Sequence, residues 1–224
     1  MEPRCFVIGD VHGCAATLRR LVEEQLAPAR GDRLYLLGDL IDRGPGSREV
    51  LDYLQQVADG GIAVTAIRGN HEQMLLDACH DRDTFRLWLL NGGATTLACF
   101  GIEDACDIPA PYRRFLAELP CYLLLDGFVL VHGCLNCAPA DPFSDTEAML
   151  WGRSCTVDRA KTGGRRLVSG HTPVRRAAIE ASLAEDRILL DNGCVYRGYP
   201  GLGALAALEL TTLQLYFCDN CEAG

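Results

Sequence analysis

The chain has 224 residues, of which 49% are apolar and 23% charged. Such a balance supports a sizeable buried core and excludes an intrinsically disordered chain. The formal net charge of -9 argues against a broad nucleic-acid-binding face, which needs a basic surface. It leaves room for an anionic substrate where a metal site supplies local positive charge.

In chain order, Cys5–Gly9 is a short apolar run that ends at Asp10. It is too short for a signal peptide and is cut by an acid, so a cytoplasmic protein is expected. Cys14–Leu26 has helical spacing, Arg33–Gly38 reads as a strand and Gly46–Ala58 as a helix. Ile62–Ile67 is a third strand, and helical segments follow from Glu72 to about Leu119, broken at Gly92-Gly93. This alternation predicts a sheet built from crossover units. Cys121–Leu125 and Phe128–Val131 flank Asp126-Gly127, a strong hairpin signal. Arg166–Ser169, Ile188–Leu190, Ala204–Leu210 and Leu213–Phe217 continue the strand pattern. Two sheets with helices outside would absorb these elements in one domain spanning residues 1–224.

No stretch is long and uncharged enough to span a bilayer, so no membrane partner is expected. The chain holds 12 cysteines. Without an export signal, reduced thiols are the expectation. Cys134/Cys137 and Cys218/Cys221 each have Cys-x2-Cys spacing. That leaves open a structural zinc site, although two unrelated thiol pairs are the simpler reading.

Five segments each follow an apolar strand-like run: Gly9-Asp10-Val11-His12-Gly13, Gly38-Asp39-Leu40-Ile41-Asp42-Arg43-Gly44, Arg68-Gly69-Asn70-His71-Glu72, Val131-His132-Gly133 and Ser169-Gly170-His171-Thr172. Strand ends are where open α/β sheets gather ligand sites. Aspartate offers hard oxygen, histidine imidazole nitrogen and asparagine a neutral carbonyl oxygen, a donor set suited to divalent metals. Singly, each segment could be an ordinary turn or helix start. The coincidence of all five is what points to one metal-bearing crevice.

The order GDVHG, GDLIDRG, RGNHE, HG, GH resembles the calcineurin-like metallophosphoesterase superfamily, and within it the serine/threonine phosphoprotein phosphatases. The short length and the segment Asn91-Gly92-Gly93-Ala94-Thr95-Thr96 resemble the bacterial and phage branch, a style shared by bacterial diadenosine tetraphosphatases. The resemblance implies an α/β fold, a β-sandwich of two mixed sheets flanked by helices. It implies two divalent metal ions, manganese first with iron or zinc as alternatives, that activate water for direct in-line hydrolysis. Asp10, His12 and Asp39 would hold one ion; Asp39, Asn70, His132 and His171 the other, with Asp39 bridging. His71 would be the general acid, oriented by Asp42. Glu72 reads as a first-turn helix acid. Arg43, Arg153 and, more weakly, Arg68 would bind substrate phosphate, since guanidinium pairs with it bidentately. The implied activity is phosphomonoester hydrolysis on a phosphorylated protein, peptide or small molecule, foremost as a serine/threonine protein phosphatase. Hydrolysis of dinucleoside polyphosphates is the enzymatic alternative, and a non-catalytic module that recognises phosphoproteins a third reading.

Overall fold

The computed structural model describes residues 3–223; Met1, Glu2 and Gly224, the outermost positions of the expected 1–224 domain, lie outside the described residues. The chain forms two mixed sheets. In the first, β1 (Cys5–Ile8), β2 (Arg33–Leu36) and β3 (Ala63–Ala66) run parallel, and β8 (Ala204–Glu209) and β9 (Gln214–Asp219) add antiparallel strands, giving the order β3-β2-β1-β8-β9. In the second, β4 (Tyr122–Leu124) pairs antiparallel with β5 (Phe128–Val131), and β6 (Arg166–Ser169) and β7 (Arg187–Leu189) extend β5 in parallel. The expected hairpin is present, with Gly127 at φ 73° in its turn.

Strand alternation divides the core. Val7, Tyr35, Leu37 and Ile67 face Leu130, Val168, Ile188 and Leu190 between the sheets. Phe6, Ile8, Leu34 and Leu36 point the other way. There they meet α1 (Ala15–Arg20), α2 (Ser47–Asp59), α3 (Asn70–Ala78) and α4 (Arg82–Trp88), whose apolar residues share that cluster. On the far face of the second sheet, Val129, Val131 and Leu167 pack with Leu135 and with Met149 of the short helix Thr146–Trp151. The sandwich flanked by helices is therefore as expected, and its parallel strands aim their carboxyl ends at one edge.

The helical stretch after Glu72 is four helices: α3, α4, α5 (Ala94–Phe100) and α6 (Ala110–Glu118). A wide turn at Leu89–Gly93, with Gly92 at φ 112°, makes the break read from Gly92-Gly93. Among the described residues, no helix is long and apolar enough to cross a membrane.

Candidate metal centre

The centre is assembled from strand ends whose backbones are held in left-handed conformations. His12 (φ 45°), Asp39 (φ 46°), Asp42 (φ 71°), Arg43 (φ 68°) and His171 (φ 69°) all have positive φ, which costs a non-glycine residue of order 1–3 kcal/mol each. The surrounding hydrogen bonds over-determine these turns. The Asp39 carbonyl accepts from Val11 N and His12 N at 3.1 and 2.7 Å. The buried Glu72 carboxylate accepts from Asp39 N, Leu40 N and Gly69 N at 2.9, 2.8 and 2.8 Å. Glu72 is thus the first-turn acid that was expected, and it also fastens the Asp39 loop to the start of α3. A Cβ on Gly69 would meet Asp39 Oδ1 at 2.2 Å, and one on Gly170 would meet Asp10 Oδ1 at 2.0 Å. Only glycine admits the carboxylates there.

Two groups of donor atoms converge on Asp39. His12, Asp39 and His71 form one; Asp39, His132 and His171 form the other. His12 Nε2 lies 3.4 Å from Asp39 Oδ2, and His132 Nε2 lies 3.4 Å from Asp39 Oδ1. Asn70 Oδ1 completes the second group, 2.9 Å from His132 Nε2 and 3.0 Å from His171 Nδ1. Asp10 sits beside them: its Oδ2 accepts from His171 N at 2.9 Å, and its buried Oδ1 has no partner among the described residues.

These residues fit a metal pair. The ring Nδ1 of His132 donates to the Leu37 carbonyl at 2.9 Å, and that of His12 to the Ile41 carbonyl at 3.1 Å. Such bonds set the tautomer and leave Nε2 with a lone pair. Burial, the dominant cause, lowers the pKa of His12 and His132 and brings His171 down to about 4, so all three rings are neutral at pH 7. Burial alone would raise Asp39, yet His132, His71 and His12 hold it well below the usual carboxylate range. Around Asn70, lone pairs of His132 Nε2 and the amide oxygen then face one another at 2.9 Å, an arrangement that a cation between them relieves.

His71 differs from the other rings. Its Nδ1 contacts Asp42 Oδ2 at 2.7 Å, while its buried Nε2 has no partner among the described residues and lies 3.9 Å from Asp39 Oδ2. Burial opposes the imidazolium, but Asp39 and the hydrogen-bonded Asp42 outweigh it and raise the pKa. Asp42 is itself fully buried and accepts from Trp88 Nε1 at 2.7 Å and Thr96 Oγ1 at 2.6 Å. Nothing in the sequence pattern marks Trp88 or Thr96 as a partner of Asp42, although Thr96 closes the Asn91–Thr96 segment.

A model of the calcineurin-like phosphoesterases matches residues 3–195. The chain belongs to this family. The phosphoesterase is 31% identical over 204 residues to a serine/threonine-protein phosphatase 1 of Salmonella typhimurium, covering 86% of this chain and 88% of the relative. It is 32% identical over 155 residues to a symmetrical bis(5'-nucleosyl)-tetraphosphatase of Aromatoleum aromaticum, covering 67% of this chain but 53% of that relative. The chain thus spans about half the length of the tetraphosphatase. Its fold matches the crystal structure of a candidate diadenosine tetraphosphatase with TM-score 0.69 at 21% identity, over 100% of this chain and 96% of the other. The family is built around a divalent dimetal centre, and the two donor groups around Asp39 are where the phosphoesterase could hold it.

The phosphoesterase places its arginines differently from one another. Arg43 Nη1 lies 2.7 Å from His12 Nε2, and its guanidinium is 5.8 Å from the Tyr196 ring. Arg153 is exposed, and its charge is one of the lesser causes, after burial, that lower the pKa of His171. Arg68 is the exception: its guanidinium bonds Gln73 Oε1 at 2.9 Å and the Ala117 carbonyl, tying β3's end to α6. The structure does not bring it to the centre, because these acceptors hold it at the edge of the helical layer.

One cysteine expectation is corrected, and the zinc site left open by the spacing is not formed. Cys134 and Cys155 are joined by a disulfide rather than kept as thiols. The zinc alternative fails with it: Cys134 is oxidised, Cys137 packs under the second sheet, and Cys218 lies in the helix-side core. Also unforeseen was buried Asp191, beside Asp10 and pushed up to about 7 by burial. It repeats the signal of the five segments, an acid directly after an apolar strand run.

Proposed function

We propose that this phosphoesterase is a manganese-dependent serine/threonine protein phosphatase. The observation that carries the reading is end-to-end similarity to the Salmonella phosphatase, 86% of one chain on 88% of the other. Asp10, His12 and Asp39 would hold one ion, and Asp39, Asn70, His132 and His171 the second. When bound, the ions supply Lewis acidity and lower the pKa of water toward neutrality. Arg43 and Arg153 would grip the phosphate. A lone pair on His12 Nε2 cannot serve both an ion and Arg43, so metal loading would free the Arg43 guanidinium for phosphate. His71 would give the Nε2 proton to the leaving alkoxide, with Asp42 holding Nδ1 and favouring the charged ring. Trp88 and Thr96 fix Asp42 in turn.

A second reading, hydrolysis of dinucleoside polyphosphates, is favoured by the local similarity to tetraphosphatases, 47% over 76 residues with one from Paracidovorax citrulli. Exposed Trp151, its ring 6.4 Å from that of His171, offers a surface on which a base could stack. The deciding experiment incubates Mn²⁺-loaded protein with phosphoserine and phosphothreonine peptides, p-nitrophenyl phosphate and diadenosine tetraphosphate, against an Asp39→Asn control. Turnover of the phosphopeptides is expected. No turnover above the control on any substrate overturns the catalytic reading; turnover of the dinucleotide alone overturns the protein phosphatase in favour of the second reading.

A further inference from the structure

Arg187, at the start of β7, gathers three loops of the centre. Its Nε donates to Ser169 Oγ at 2.9 Å, its Nη1 to the Arg153 carbonyl at 3.1 Å and its Nη2 to the Gly133 carbonyl at 3.1 Å. Gly133 directly follows His132, Ser169 precedes His171 by two residues, and Arg153 is one of the two arginines read above as phosphate-binding. Among the described residues, the bond from Arg187 is the one hydrogen bond that the Arg153 backbone makes. All three acceptors are neutral, so none cancels the guanidinium charge. The planar fork of arginine suits three acceptors spread around it; a lysine ammonium cannot span them at once.

We propose that Arg187 is a positioning residue for substrate phosphate: it fixes the Arg153 backbone against the His132 and His171 loops, so that the Arg153 side chain meets the phosphate in a set place. This rests on the reading of Arg153 as a phosphate-binding arginine. Arg187 acts through Arg153 and touches no substrate itself.

A double-mutant cycle tests it on the Mn²⁺-loaded full chain, reading KM and kcat for p-nitrophenyl phosphate and, by calorimetry, Kd for inorganic phosphate. Arg187→Gln is expected to raise both KM and Kd about three- to tenfold, the order of one hydrogen bond's net contribution, with a smaller change in kcat. Arg187→Lys keeps the charge but not the fork, so it should fall between wild type and Gln. In an Arg153→Ala background neither change should add further loss. If Arg187→Gln does not fold, Arg187→Lys against Arg153→Ala closes the same cycle. Additive losses overturn the inference while leaving Arg153 in its role. An unchanged Kd in Arg153→Ala overturns the reading of Arg153, and the inference falls with it.

Discussion

His71 is gripped at one nitrogen and bare at the other. Nδ1 is locked on Asp42 at 2.7 Å, and buried Nε2 has no partner among the described residues. A metal ligand and a proton donor would both show a free Nε2, so mutation must separate them. His71→Asn is expected to lower kcat for a poor leaving group by about two to four orders of magnitude. Manganese content, read by elemental analysis, should stay at the wild-type level; its loss would make His71 a ligand instead. Most side chains of the centre were legible because each sits directly after a strand run, where sequence position and site coincide. Trp88 and Thr96 were not, since they reach Asp42 from 46 and 54 residues away. Arg68 misled for the opposite reason: two residues before Asn70 in sequence, its side chain leaves in another direction.

The strand-end loops work because backbone and carboxylate nearly touch. Gly170→Ala is expected to leave the fold intact but to displace Asp10, whose Oδ1 would lie 2.0 Å from the new Cβ. Weakened Mn²⁺ binding by calorimetry, with an unchanged far-UV spectrum, is the expected result; wild-type affinity would show that Asp10 is no ligand. The elements themselves were readable where hydrophobic spacing was long or strictly alternating, as in α2 and the paired strands. The helices Thr146–Trp151 and Arg176–Ser182 span 6 and 7 residues, too short for a periodic signal. Arg187 was invisible for a related cause. Its strand is 3 residues long, and nothing in that run shows that its first side chain crosses three loops.

Across the whole molecule, acid stability depends on carboxylates far from the centre. Burial favours a protonated Asp32, but bonds from Ala29 N and from the Arg4 backbone and guanidinium lower its pKa. Glu209 is likewise lowered against burial by Thr212 and Thr211. Their contribution is therefore full above the ordinary carboxylate values of about 4 and is lost as pH falls through the lower folded values. In thermal melts, Asp32→Asn should lower Tm at pH 7, and the gap to wild type should narrow as pH falls below about 4; a constant gap would contradict this. The Cys134–Cys155 disulfide, with sequence separation 21, should contribute about 3 kcal/mol by restricting the unfolded chain. A Cys134→Ser/Cys155→Ser variant should melt several degrees lower, whereas an unchanged Tm would mean the bridge does not restrict it. The same bridge makes residues 134–155 a closed covalent ring, with exposed Ala140 and Asp141 on its outer arc. A protease that cuts this arc opens the ring without dividing the molecule. The nicked protein should run as one band on a non-reducing gel and as two fragments once thiol is added.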